Sequence, residues 1–218
     1  MKRFVPVIAL VIAAIALATV NATVFAYRWM QGTVTVAGPT AARGVACVGF
    51  YSSAAQSGIS PTYLPQAGTN YNAKTYGTNT ISVTPGIPVC QWTVGTTTYS
   101  LYESISVNVP ITVGSWYIKD FYGFGYNGTA TDPTVYVYIK VEQPINDANI
   151  DTAYLYIYKG GTLVATVDLK TGSVIGPITL SPGNGLQLDL SIRATGATSS
   201  ATFKVGFYAT YSSSETPR

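Results

Sequence analysis

The sequence predicts an all-β protein, an antiparallel β-sandwich or jelly roll preceded by an extended N-terminal strand. Three observations lead there. Apolar and polar residues alternate with period two in segment after segment, Gly, Pro and Asn break the pattern at short intervals, and beyond residue 18 the spacing of an amphipathic helix is nearly absent. Strands so closely spaced, with no helices between them, pack as antiparallel sheets.

The first segment precedes the fold. Lys2 and Arg3 lead into an uncharged apolar run from Phe4 to Ala18 that ends in Ala16-Leu17-Ala18. A positive start, a short apolar stretch and a small-x-small ending are the layout of a secretory signal peptide. The run is shorter than the roughly 20 residues of a permanent membrane span. Residues 1–18 are therefore read as a leader, with the mature chain starting at Thr19. A retained anchor is the alternative, because Val20, Ala22 and Val24 to Ala26 prolong the apolar character, although Asn21 and Thr23 interrupt it. The expected location is extracellular, on the cell surface or in a matrix, with the membrane met only during export.

Residues 19–31 read as a strand at the very N-terminus, with Val20, Ala22, Val24 and Ala26 on one side. Such a strand can pair in its own sheet or complete the sheet of a neighbour. Residues 32–218 are long enough for one sandwich with a full core. Cys47 and Cys90, the only cysteines, lie in the apolar contexts Val45-Ala46-Cys47-Val48 and Pro88-Val89-Cys90-Gln91. An even count in an exported chain points to a disulfide, and two buried thiols are the other reading.

Strands are expected over 45–51, 80–84, 88–94, 100–113 and 115–122, with 52–73 as loop because it holds Pro61, Pro65 and Gly68. Glu103 spoils the alternation of 100–113, and Pro110 there suggests an edge or a bulge. From Thr134 to Val141, Val135, Val137, Ile139 and Val141 share the core face, while Tyr136 and Tyr138 face away. Ala153, Leu155 and Ile157 point inward and Tyr154, Tyr156 and Tyr158 outward, before Gly160-Gly161 turns the chain into 162–169 as a hairpin. The closing strands place Leu186, Leu188, Leu190 and Ile192, then Phe203, Val205, Phe207 and Ala209, in the core.

Composition narrows the function. Without Lys2 and Arg3 the mature chain has ten basic and nine acidic side chains, and no basic patch, which argues against nucleic acid. Charged residues are only 10% of the chain against 17 tyrosines. A soluble monomer normally carries more surface charge, so this balance suits a chain that packs against copies of itself. Asn21-Ala22-Thr23 and Asn127-Gly128-Thr129 fit the N-glycan acceptor pattern, and sugar there would add solubility. The five outward tyrosines, Tyr136, Tyr138, Tyr154, Tyr156 and Tyr158, are expected to form one connected aromatic surface between subunits or filaments.

Catalytic chemistry is sparse. The chain has no His, which removes the commonest general base and a common zinc ligand. Glu103, Glu142, Asp120 and Asp132 could serve a two-carboxylate hydrolase, yet their spacing singles out no pair, and solvated strand or turn carboxylates are the plainer reading. No catalytic residue, cofactor site or small-molecule substrate is expected, and the chain is read as a non-enzyme. The one cation candidate is Asn146, Asp147, Asn149 and Asp151, whose closely spaced oxygens could ligate calcium. An Asx-rich turn explains the same residues. No glycine-rich phosphate loop is present.

The leader followed by Ala22-Thr23-Val24-Phe25-Ala26-Tyr27 and then Gln31-Gly32-Thr33-Val34-Thr35-Val36 resembles the start of the TasA/camelysin type of biofilm-matrix protein and its archaeal relatives, the bundling-pilus subunits. The resemblance is specific over roughly residues 10–37 and architectural beyond. It implies a jelly-roll domain and a homopolymeric filament whose subunits exchange N-terminal strands, so that Val20, Ala22, Val24 and Ala26 are donor-strand residues. The Cys47/Cys90 pair departs from the family pattern, and low charge with a disulfide suits its archaeal branch. Two rivals stand beside it. A type IV pilin needs a long retained helix that this short apolar run does not supply. A secreted carbohydrate-binding or adhesive module could use Trp92, Trp116 and the tyrosine faces to stack on sugars.

Overall fold

The computed structural model describes residues 26–31, 47–51, 75–76, 79–80, 82–198 and 200–217. The regular elements among them are all strands: β1 (Ala26–Gln31), β2 (Val48–Tyr51), β3 (Thr75–Tyr76), β4 (Asn79–Thr80), β5 (Ser82–Pro85), β6 (Pro88–Val94), β7 (Thr97–Tyr102), β8 (Ser104–Asn108), β9 (Gly114–Tyr126), β10 (Val135–Gln143), β11 (Ile150–Lys159), β12 (Thr162–Asp168), β13 (Val174–Leu180), β14 (Gly185–Ala194) and β15 (Lys204–Thr210). A six-stranded sheet runs β13-β10-β15-β1-β8-β5, and a seven-stranded sheet runs β12-β11-β14-β9-β2-β7-β6. Among the described residues, β3 and β4 pair with each other alone.

The alternation dictates how the sheets meet. Val135, Val137 and Ile139 of β10, Leu155 and Ile157 of β11, Leu186, Leu188 and Leu190 of β14, and Val205, Phe207 and Ala209 of β15 are all fully buried in one core. The layers are joined at its centre by three rings. Phe207 of the six-stranded sheet lies 5.1 Å from Phe50 and 4.9 Å from Phe124 of the seven-stranded one, and Phe50 and Phe124 are themselves 5.1 Å apart, edge to face. Burying each ring is worth about 1.5–3 kcal/mol, and their offset geometry adds to that.

The layers share two ends. At the head lie Ala209, Tyr126 and Asn127, the last donating its backbone N–H to the Cys47 carbonyl at 2.8 Å. At the foot lie Asn108, Ile150, Ala194 and Lys204, where the connections 109–113 and 144–149 and the described parts 195–198 and 200–203 of the next one run. The β11–β12 turn at the head uses Gly160 and Gly161 at φ 55° and 81°, the left-handed values that glycine reaches most easily.

The predicted all-β class and the inward faces of β10, β11, β14 and β15 match the structure. Three local expectations change. The single strand predicted over 100–113 is two strands in different layers, β7 in the seven-stranded sheet and β8 in the six-stranded one, divided at Glu103. The residue that broke the alternation marks the crossing between sheets. β9 runs on to Tyr126, and its residues Phe121 to Tyr126 are all buried. β13 has no counterpart among the expected strands, because Gly176-Pro177 interrupts its pattern. The expected loop at 52–73 and the leader lie outside the described residues.

Candidate functional site

The site is the slot between β8 and β15. β15 is walled on its core side by Val205, Phe207 and Ala209, and β8 by Ile105 and Val107, all buried. Neither strand pairs with the other; β1 lies between them. It runs antiparallel to β15 from Ala26↔Ala209 to Gln31↔Lys204, and parallel to β8 from Trp29↔Ser104 to Gln31↔Ser106. This is the one parallel ladder among the described strands. No hairpin ties β1 to either neighbour, and the next described strand, β2, lies in the other sheet. Without β1 the facing edges of β8 and β15 would expose unpaired backbone groups, which is the condition that invites an extended segment.

The register within the slot is uneven. Ala26 and Met30 align with Ala209 and Val205, but Arg28 aligns with Phe207, on the side of β15 that faces the core. Along this register the β1 residues read small, charged and apolar in identity where the β15 wall is uniformly apolar. Of the predicted donor-strand residues, Ala26 opens β1 in the chain's own sheet, while Val20, Ala22 and Val24 lie outside the described residues, as does Asn21.

A disulfide joins Cys47 and Cys90, with Cα atoms 5.6 Å apart, the ordinary separation for such a bond. It ties the residue before β2 to β6 and packs with Val89, Tyr51 and Leu101 in a small second cluster. Asn127, the other sequon asparagine, is half-buried at the head, and its Oδ1 is buried without a hydrogen-bond partner. Thr129 of that sequon is engaged by Asp132, which accepts from its backbone N–H at 2.7 Å and its hydroxyl at 3.1 Å.

The five tyrosines do not form one surface. Tyr136 and Tyr138 belong to the six-stranded sheet, and Tyr154, Tyr156 and Tyr158 to the seven-stranded sheet, because the chain changes layers between β10 and β11. Tyr138 is buried and donates its hydroxyl to the Ser213 carbonyl at 2.6 Å. On the other outer face, Tyr154, Tyr156 and Tyr117 make a row with ring centroids 6.1 Å apart. Trp116 donates its indole N–H to the Thr112 carbonyl at 2.8 Å, and Trp92 pairs in register with Tyr99 between β6 and β7.

The calcium candidate is otherwise employed. Asp147 accepts from the Asn149 backbone N–H at 2.8 Å and from the Thr198 hydroxyl at 2.5 Å, bonds that hold its carboxyl below the usual range. The Lys170 ammonium donates to the carbonyls of Asp147 and Ile150, and Asp151 pairs with Arg193 at 3.4 Å. These contacts make an Asx turn that lashes two foot connections together through Asn149 Nδ2 and the Ala197 carbonyl.

Of the four carboxylates considered from sequence, Glu142 accepts from the Tyr208 hydroxyl and pairs with Lys140 at 3.3 Å. Glu103 sits at the layer crossing, its backbone N–H donated to the Ile87 carbonyl. Asp120 has a partner that sequence reasoning missed. β9 and β14 pair Ile118 with Leu190 and Tyr122 with Leu188, so Lys119 to Phe121 bulge opposite Asp189 alone. Asp189 is 1% exposed and accepts from the Tyr117 hydroxyl, the Asp120 backbone N–H at 2.7 Å and Gln187 Nε2 at 2.8 Å. Asp120 is 2% exposed, has φ 54°, and its Oδ2 has no partner. Burial, then the Asp189 charge, pushes its carboxyl up to about 7, against a smaller opposing effect of Lys119. In the strand alternation Asp189 reads as a solvated outward residue; Tyr117 covers it, a long-range contact with no local signal.

No family model, curated protein or solved structure matches the chain.

Proposed function

We propose that this chain is the structural subunit of an extracellular filament, a pilus or biofilm-matrix fibre, that polymerises by giving its N-terminal strand to the slot of the next copy and bundles laterally. The observation that carries the reading is the position of β1. Strands β8 to β15 divide between the layers as β8, β10, β13 and β15 in one and β9, β11, β12 and β14 in the other, an order that fits the two interlocked Greek keys of a jelly roll. In such a roll the first and last strands are neighbours; here β1 separates them. A segment outside the roll completes the sheet, and the same backbone bonds are available to that segment from a second copy. The uneven register supports exchange. Arg28 opposite Phe207 is a poor match, whereas the upstream alternation Val20, Ala22, Val24 and Ala26 suits the apolar wall.

A strand donated head-to-tail makes a heterologous contact that does not close, so it propagates. The predicted leader and the Cys47–Cys90 bond agree with export to an oxidising exterior, and self-association is the partnership that a weakly charged, tyrosine-rich chain favours. The tilt of 34–38° between successive rings of the Tyr154–Tyr156–Tyr117 row suits interdigitation with another protein surface better than flat stacking on a sugar chain, which places the carbohydrate-binding alternative second. Electron microscopy of the exported chain tests the proposal. Filaments are expected from the full chain and none from a variant lacking residues 19–29, with Val24→Asp nearly as damaging because it sets a charge in an apolar groove. Normal filaments from the truncated chain would contradict it.

A further inference from the structure

We infer that the outer face of the seven-stranded sheet carries a site of oxidative modification, where oxidation of Tyr117 by a one-electron oxidant of the peroxidase class ends in a carbon–carbon bond to the ring of Tyr156. Every atom in this chemistry belongs to one copy, so it does not depend on strand donation.

Strand pairing sets the two rings on either side of β14. Tyr117 of β9 is level with Ser191 of β14, while Tyr154 and Tyr156 of β11 are level with Ser191 and Asp189. The Tyr117 side chain reaches over β14 until its hydroxyl donates to Asp189 Oδ2, and its ring centroid then lies 6.1 Å from that of Tyr156. Tyr117 is 50% exposed, open to an oxidant, whereas Asp189 is 1% exposed.

A phenol yields an electron readily only where its proton can leave too, because the phenol radical cation is a strong acid. An exposed tyrosine ordinarily passes that proton to water, a weak base. Tyr117 already has a carboxylate in place to take it. The Asp120 backbone N–H and Gln187 Nε2 both bond to the other oxygen, Asp189 Oδ1, which fixes the carboxylate and leaves Oδ2 to the phenol. Burial, then the hydrogen bond to Asp189, pushes the Tyr117 hydroxyl's pKa up and keeps it protonated beforehand. The electron therefore goes to the oxidant as the proton goes to Oδ2, and a neutral Tyr117 radical remains.

A second oxidising equivalent takes an electron and a proton from Tyr156. The new bond forms between ring carbons ortho to the two hydroxyls, and the hydrogen on each of those carbons moves to its own phenol oxygen. Two hydrogens are lost overall, and one hydrogen peroxide is reduced to two waters. Tyr154 is equally near Tyr156, at 6.1 Å, but among the described residues no carboxylate accepts from its hydroxyl, so Tyr117 is the ring oxidised first. The product joins β9 to β11 across β14.

Treating the full chain with a peroxidase and hydrogen peroxide tests the assignment, read by dityrosine fluorescence and by mass spectrometry of the digest. The expected product is one dominant cross-link, two hydrogens lighter, between the peptides of Tyr117 and Tyr156. A mixture of light and isotope-labelled chains should give it without mixed pairs. Tyr117→Phe should abolish it. Tyr156→Phe should abolish it too, yet leave Tyr117 the tyrosine consumed first. Asp189→Asn still offers the Asp120 N–H an acceptor but no base to the phenol, and should slow the cross-link at least about tenfold. Cross-links spread over other tyrosines, mixed pairs, or in Tyr156→Phe a Tyr117 consumed no faster than the rest would overturn the assignment, as would an undiminished rate in Asp189→Asn.

Discussion

β14 and β1 are both interior strands, and they are held in opposite ways. β14 is antiparallel to β9 and β11, and its Leu186, Leu188, Leu190 and Ile192 are buried in the core. Its register against β9 is pinned by the bulge at Lys119 to Phe121 and by the Asp189 carboxylate bound to the Asp120 N–H. A slip of one residue would turn four apolar side chains to solvent. β1 has one antiparallel and one parallel neighbour, no hairpin to either, and a charged residue level with the central phenylalanine. One strand is specified by its buried side chains; the other pairs through its backbone with both neighbours, a pairing that any extended segment of suitable face can offer. Strand exchange belongs to the second kind.

The largest expected effect lies at the ring cluster that both layers share. Phe207→Ala should cost about 3–5 kcal/mol, because Phe207 touches Phe50 and Phe124 across the layers and forms the wall of the slot. Urea unfolding measures it, and a cost under 1 kcal/mol would mean that the core is not centred there. Replacing Cys47 and Cys90 with Ser should remove roughly 3 to 4 kcal/mol on the loop-closure argument, for a sequence separation of 43, without changing where β1 pairs. Hydrogen exchange on β1 would report any change.

The β9–β14 lock gives a pH effect of definite sign. Asp120 titrates at about 7 in the fold and near 3.9 when unfolded, so between those values the folded state binds more protons. Stability from this group therefore falls as pH rises from about 4 to about 7 and is level above. Asp120→Asn should remove that slope and be relatively more stable at pH 8 than at pH 5; thermal melts of both proteins across this range show it. Identical slopes in the two would place the titration elsewhere. The smallest effect is expected at Arg28→Val, which repairs the match to Phe207, strengthens pairing within the chain's own sheet and slows filament growth a few-fold. Faster growth would reverse the role assigned to Arg28.

Much of this fold is legible where strands alternate cleanly. Val135 to Val141, Ala153 to Ile157 and Leu186 to Ile192 show their inward faces because one side packs on the core and the other does not. β13 is hidden because Gly176 and Pro177 break its alternation, and β7 and β8 merge in the sequence because both sides of Glu103 keep the same parity while the chain changes sheets. The tyrosines illustrate the same limit. Their outward direction follows from parity, but which sheet they decorate depends on a crossing at 144–149 that parity does not record. The slot is similarly invisible, since it is set by pairings between residues near 26, 105 and 207. Of the N-terminal alternation only Ala26 falls in β1, and the pattern carries no sign of the strand's place between β8 and β15.

The most direct test separates the slot from its strand. A chain lacking residues 19–31 is mixed with a synthetic peptide of residues 19–31, and thermal unfolding is followed as peptide is added. The truncated chain should stay unpolymerised, bind the peptide, and melt at a temperature that climbs with peptide concentration, as mass action requires of a ligand that binds only the folded state. A truncated chain that forms filaments unaided, or whose melting is indifferent to the peptide, would contradict the account.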